Sequence, residues 1–230
     1  MRTIFYVIWG DKPEYRAMLE RSKTSVEKLV PGSAVEVLEG DPALGLLNKP
    51  RLLWDRLKKA GTKDEFLFLD CDTTVMGNLE FGFRAARQSG MACCICECPW
   101  LRRYGNEYGD EVEYNSGVIF FNSNASDVFR AWDWMSHEPQ PRSRFSWGSD
   151  ECGLECDDQF SFSRAIGEND FPLFTLPLNY NFRPLFHTRM FAPLKVWHSP
   201  HEAPAMLGTM GREIERGERP VTFGTLRNSF

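Results

Sequence analysis

The chain has 230 residues and a formal net charge of −5, with 42% hydrophobic and 26% charged residues. That is enough apolar material for one sizeable core and the ordinary balance of a globular domain. The acidic balance excludes a broadly basic surface of the kind nucleic-acid binding uses, so no nucleic-acid partner is expected.

No stretch approaches the roughly 20 apolar residues that a bilayer span needs. The opening apolar run stops at Gly10 without a secretory pattern. There are seven cysteines, an odd number that suits reduced thiols better than a disulfide framework. The expectation is a cytoplasmic chain with no transmembrane segment.

In chain order, residues 3–9 read as a buried strand. Pro13–Leu29 reads as a helix, with Tyr15, Met18, Leu19, Val26 and Leu29 at helical spacings and Pro31-Gly32 as its stop. Ala34–Leu38 reads as a second strand and Pro50–Ala60 as a second helix closed by Gly61. Glu65–Leu69 is a short apolar run that suits a strand buried on both faces. This alternation predicts parallel strands covered by helices, with ligands bound beyond the carboxyl ends of the strands. Further on, Met91–Cys96 and Ser116–Phe121 read as strands, Val128–Met135 and Asp157–Ile166 as helices, and Pro139-Gln140-Pro141 as a surface loop. Beyond about residue 200 apolar positions are sparse. The expected organisation is a domain over residues 1–200 and an extension over 201–230, packed on the domain or partly mobile.

Asp70 and Asp72 stand directly after the third strand, in the segment Phe66-Leu67-Phe68-Leu69-Asp70-Cys71-Asp72-Thr73-Thr74. Two carboxylates one residue apart at a strand end can splay as the chain turns and reach one ion. Hard oxygen ligands suit Mg²⁺ or Mn²⁺, which keep positions open for water and substrate phosphates. Cys93-x-x-Cys96 could join Cys152 and Cys156 in a zinc site. The alternation in Met91–Cys96 reads better as a buried strand whose thiols pack as small apolar groups.

The carboxylate segment fits two enzyme classes. Haloacid-dehalogenase-like phosphatases open on an apolar strand ending in Asp-x-Asp-x-Thr. Metal-dependent glycosyltransferases of the GT-A fold carry an apolar strand ending in Asp-x-Asp. The phosphatase resemblance stops there: two strand–helix units precede the pair, and the late acidic pair Asp157-Asp158 follows no buried strand. The glycosyltransferase resemblance continues in order through Asn115-Ser116-Gly117-Val118-Ile119-Phe120-Phe121-Asn122, Asp158-Gln159, Leu176-Pro177-Leu178-Asn179-Tyr180-Asn181-Phe182 and Lys195-Val196-Trp197-His198. Over about residues 3–200 the chain thus resembles glycosyltransferase family 8, the family of glycogenin and the lipopolysaccharide galactosyltransferases. In that family the His precedes a Gly and a Lys-Pro-Trp; here Ser199-Pro200-His201-Glu202 follows, which leaves the diphosphate-binding lysine unassigned.

The resemblance implies an α/β, Rossmann-like GT-A nucleotide-diphospho-sugar transferase fold, with a mixed central sheet flanked by helices and the catalytic domain over residues 1–200. It implies hexosyl transfer from a nucleotide diphosphate sugar, a UDP-sugar by family habit, to a sugar, lipid-linked or protein acceptor, with retention of configuration. Mn²⁺ or Mg²⁺ would be held by Asp70, Asp72 and His198. The donor would meet Trp9, Lys49, Asp70, Asn115 and Ser116, and Asp158 and Gln159 would act on the sugar. Lys49 or Arg51, opening the second helix, either meets phosphate or belongs to a solvated helix face. A non-catalytic sugar-nucleotide-binding domain is the remaining alternative.

Overall fold

The computed structural model describes residues 1–96, 112–138, 158–184, 189–190, 193–203 and 221–222. The elements are strand β1 (Arg2–Trp9), helix α1 (Pro13–Leu29), β2 (Ala34–Gly40), α2 (Asn48–Leu57), β3 (Glu65–Leu69), β4 (Thr73–Val75), α3 (Glu80–Ser89), β5 (Met91–Ile95) and β6 (Tyr114–Asn122). They continue with α4 (Ser126–Ser136), α5 (Asp158–Glu168), β7 (Leu173–Thr175), β8 (Arg189–Met190), β9 (Val196–His198) and β10 (Val221–Thr222).

Six strands form the central sheet in the order β2-β1-β3-β6-β5-β7. β1 runs parallel to β2 and β3, β6 runs antiparallel to β3 and β5, and β7 is parallel to β5. The sheet is therefore mixed. Its inner strands read as continuous apolar runs because both faces are covered. Alternate residues serve the two faces: Ile4, Tyr6, Leu67, Leu69, Val118 and Phe120 pack with α1 and α3, while Phe5, Phe66, Phe68, Ile119 and Phe121 pack with α2, α4 and α5. Helix, sheet and helix make three layers with a core on each side.

The expected β1, α1, β3, β6 and α4 are present with ends shifted by at most two residues. β2 runs on to Gly40. α2 begins at Asn48 rather than Pro50, because the Asn48 side chain bonds back to Asp41 and Gly45 and joins a 3-10 turn (Pro42–Leu47) to the helix. Pro50 is tolerated there, since the first helical turn needs no intrahelical N–H partner. β5 ends at Ile95, and α5 extends to Glu168. Five elements, α3, β4, β7, β8 and β10, are additions to the expected set. The Pro139-Gln140-Pro141 loop, Asp157, Cys152 and Cys156 lie outside the described residues. Of residues 201–230, Val221–Thr222 pair antiparallel with Arg189–Met190, and the Trp197 indole N–H donates to the His201 carbonyl at 2.9 Å.

Two small features position the site. β4 pairs antiparallel with β9, setting Thr73 opposite His198. A buried chain of hydroxyls links helix α1 to the turn before β4: Thr73 Oγ1 donates to the Asp70 carbonyl at 2.7 Å, Ser22 lies 3.1 Å from Thr73, and Tyr6 lies 2.8 Å from Ser22. Because Thr73 spends its one proton on the carbonyl, Ser22 donates to Thr73 and Tyr6 donates to Ser22.

Two helical glycines make a test of the packing. A Cβ on Gly82 would stand 2.6 to 2.8 Å from the Phe120 ring, which is itself held edge-on by Phe83 and Tyr180. A Cβ on Gly167 would meet nothing within 4 Å. Gly→Ala gains about 1 kcal/mol of helix preference, but overpacking costs about 1–3 kcal/mol. Urea denaturation should show Gly82→Ala less stable by about 1 kcal/mol and Gly167→Ala unchanged or more stable; equal effects would refute this packing.

Candidate active site

The carboxyl end of β3 carries the site. Leu69 pairs with Val118, so the next residue, Asp70, meets the start of β6, and its N–H donates to the Gly117 carbonyl at 2.8 Å. The chain then turns, with Thr73 N–H bonded to the Asp70 carbonyl at 3.1 Å, and enters β4. The β4–β9 pairing delivers His198 to the same place, and Ser199 N–H donates to the Asp72 carbonyl at 2.9 Å. His198 Nε2 lies 3.2 Å from Asp72 Oδ1 and 3.7 Å from Asp70 Oδ2.

These three side chains are the one group of three or more His, Cys, Asp and Glu residues, among the described residues, that could hold a metal ion. Their ligand atoms all lie within 4.8 Å of one another. Ligands about 2.1 Å from a shared ion stand about 3 Å apart at right angles and about 4 Å apart across it, so the spacing fits one small divalent cation. Two carboxylates and one imidazole offer a mixed oxygen and nitrogen donor set for a divalent cation.

Lys49 lies beneath the pair. It sits in the first turn of α2 and is 4% exposed, so the solvated-face reading does not hold. Its Nζ lies 3.1 Å from Asp70 Oδ1, 2.5 Å from Asp158 Oδ2 and 3.4 Å from Ser116 Oγ. Ser116 Oγ in turn donates to Asp158 Oδ2 at 3.0 Å. Burial by itself would lower the lysine's pKa, but the charges of Asp158 and Asp70, and hydrogen bonds to both, outweigh it and raise the pKa above the usual value. Asp70 is pushed up, first by burial and also by Asp72 and Asp158, against the pull of Lys49 and His198. Partial burial works to raise Asp72, yet the charge of a protonated His198 and the hydrogen bond it then donates hold it below the usual carboxylate range. Between them, Cys71 is pushed up to about 12 by burial and by the two flanking carboxylates.

The other expected residues fall around this centre. Trp9 ends β1 half-buried against the core on the α2 side. Asn115, 3% exposed, accepts from Gly117 N–H at 2.9 Å and donates to Gln159 Oε1 at 2.8 Å. Gln159 Nε2 donates to the Glu113 carboxylate and faces Cys96 Sγ at 3.6 Å. Asp158 opens α5, where its carbonyl accepts from the Trp132 indole at 2.8 Å. Arg51 is exposed on α2. Cys93 packs in the apolar core on the α2 side of the sheet, and the Cys152 and Cys156 that a zinc site would share with it lie outside the described residues.

Two contributors were not read from the sequence. Asn181, 2% exposed, bonds to His198 and Asn115. Arg21 on α1 donates to the carbonyls of Ser199 and Pro200, both at 3.1 Å, and so holds the chain that leaves His198. The Asn-Phe step of the sequence pattern pointed at Asn181 without a role; nothing local pointed at Arg21.

No protein-family model and no curated protein matches the sequence. Solved structures do match in fold. The galactosyltransferase LgtC, in the form of an active-site mutant, is 15% identical, with a TM-score of 0.54 over 99% of this chain and 100% of that one. Mouse xyloside xylosyltransferase 1 in its apo form is 12% identical, with a TM-score of 0.57 over 89% of this chain and 99% of that one. A glycosyltransferase involved in glycosylating the major capsid of PBCV-1 is 14% identical, with a TM-score of 0.54 over 92% and 98%. The chain has the GT-A fold of such glycosyltransferases. The phosphatase alternative is not favoured by this likeness.

Lys49→Met would leave the buried Asp158 and the partly buried Asp70 without their cation. It is expected to cost about 3–5 kcal/mol of stability in urea denaturation, and an unchanged midpoint would contradict the bridge. In metal-free protein at pH 8, Cys71 should stay a neutral thiol. Iodoacetamide should label it on the order of 100-fold or more slower than free cysteine, read by peptide mass spectrometry; comparable labelling would show the thiol is not suppressed.

Proposed function

We propose that this chain is a metal-dependent glycosyltransferase of the family 8 type, a hexosyltransferase that moves a sugar from a nucleotide diphosphate donor, a UDP-sugar by preference, to an acceptor hydroxyl. The observation that carries this reading is the convergence of Asp70, Asp72 and His198 at the carboxyl end of the sheet in a GT-A fold. In open sheets of this kind ligands bind beyond the strand ends. No helix among the described residues is long and apolar enough to cross a membrane.

The roles follow from the surroundings of each residue. Asp70, Asp72 and His198 hold the cation, Mn²⁺ or Mg²⁺. A cation there would offset the negative charge that builds on the departing diphosphate. Trp9, at the end of β1, faces the nucleotide base. Lys49, Asn115 and Ser116 belong to the donor site but are buried, so they act from beneath, fixing the carboxylates that the donor meets. Asp158, held by Lys49 and Ser116, and Gln159 lie against the sugar. Retention follows if the leaving phosphate takes the acceptor's proton on the face from which it departs. Residues 1–200 form the catalytic unit in this reading, and 201–230 its extension. The acceptor is a sugar, lipid-linked or protein hydroxyl.

A thermal-shift panel of nucleotide diphosphates and nucleotide sugars, with and without Mn²⁺, tests the reading. At about 100 times the Kd a ligand adds about 2.7 kcal/mol, or roughly 5–10 °C in Tm for a domain of this size. The shift should require Mn²⁺ and vanish in Asp72→Asn. No shift with any uridine or guanosine diphosphate would overturn the proposal. Binding without transfer or hydrolysis across an acceptor panel would favour the non-catalytic alternative, and steady phosphate release from a phosphoester, lost in Asp70→Asn, would favour the phosphatase.

A further inference from the structure

We propose that Asn115 and Asn181 form an amide relay that fixes His198 as its Nδ1–H tautomer and so leaves the Nε2 lone pair facing Asp70 and Asp72. The relay serves the cation site proposed above and rests on that reading for its purpose.

The argument starts from groups whose hydrogen-bonding sense cannot change. The Gly117 backbone N–H can only donate, and it meets one terminal atom of Asn115 at 2.9 Å. That atom must be the amide oxygen. The same oxygen lies 2.6 Å from a terminal atom of Asn181, which must therefore be the amide nitrogen. Turned the other way, Asn181 would set two oxygens against each other inside a site where both residues are at most 3% exposed. With its nitrogen on Asn115, Asn181 points its oxygen at His198 Nδ1, 2.7 Å away. An oxygen accepts, so Nδ1 carries the proton.

A second anchor gives the same sense from the other end. The Glu113 carboxylate accepts from Gln159, which turns the Gln159 oxygen toward Asn115 at 2.8 Å and requires the Asn115 nitrogen there. Asn115 is thus oriented twice, by a backbone donor and by a carboxylate acceptor. One string of amides runs from Glu113 through Gln159, Asn115 and Asn181 to His198, and every link has one allowed direction.

The consequence lies at the far side of the ring. A histidine whose Nδ1 is held as a donor presents Nε2 as a ligand, and such supporting groups are typically worth roughly 10–100-fold in metal affinity. Nε2 here lies 3.2 Å from Asp72 and 3.7 Å from Asp70, within the triangle of ligand atoms. Asn115 and Asn181 act through His198 and are positioning residues.

The test is a long-range proton–nitrogen spectrum of the histidine side chains in metal-free protein above the imidazole's titration, with His198 assigned by its loss in His198→Gln. Mn²⁺ affinity is measured in parallel from the free-ion signal in electron paramagnetic resonance. In the wild type the proton should sit on Nδ1; a neutral ring protonated on Nε2 overturns the relay without any variant. Asn181→Leu and Asn115→Leu should both yield a mixed tautomer and weaken Mn²⁺ by roughly 10–100-fold. Asn115→Asp keeps the oxygen that Gly117 and Asn181 use, and it should keep the Nδ1–H form. If folded Asn115→Leu leaves both tautomer and affinity at wild-type values, the relay is wrong. Wild-type Nδ1–H lost in the leucine variants, with no Mn²⁺ binding even in the wild type, would uphold the relay and overturn the cation reading instead.

Discussion

A buried ammonium holds this site together. Lys49 reaches Asp70 at the end of β3 and Asp158 at the start of α5, and it comes itself from the first turn of α2. Three elements from separate parts of the chain therefore share one charge balance. Without the lysine, two carboxylates would face each other in a poorly solvated space, which costs far more than an exposed pair. The balance is incomplete in electrostatic terms: Asp70, Asp72 and Asp158 outnumber the single ammonium by two charges. That surplus suits a divalent cation, and it explains why Asp70, already shared with Lys49, still has its second oxygen turned toward His198.

The framework was legible where the chain's own chemistry decided it. β1 and β3 are apolar on both faces and could be placed as inner strands from composition alone. α1 starts at Pro13, whose missing N–H is harmless in a first turn. By contrast, α3 is short, its N-cap residue Leu79 has no capping side chain, and it contains Gly82. It is a helix because Phe83, Ala85 and Ala86 pack into the core, a tertiary cause with no local signature. β4 and β7 have three residues each and exist through their pairing partners.

The site divides the same way. The ordered motifs singled out Asp70, Asp72 and His198, and the structure brings those three together. For Lys49 the sequence offers a phosphate contact or a solvated residue, and its burial between carboxylates removes the second. Burial depends on what packs against a helix, which helical spacing does not report. Asn181 and Arg21 act through hydrogen bonds to groups far along the chain. A polar residue with a distant partner looks in sequence like any other polar residue.

The pairing of β4 with β9 has a consequence for how the protein is made. Asp72 leaves the ribosome before the chain that follows it, and Thr73 cannot meet His198 until the residues between them have emerged. At ordinary translation speed that interval is on the order of ten seconds. Until then Asp70 and Asp72 form only two corners of the triangle, and the turn between them lacks both the β9 strand and the grip of Arg21 on Ser199 and Pro200. The nascent chain thus has acidic residues but no finished chelator. Capture of a cation would wait until β9 has paired, so a metal would act as a seal on a fold already assembled and not as the nucleus around which it collapses.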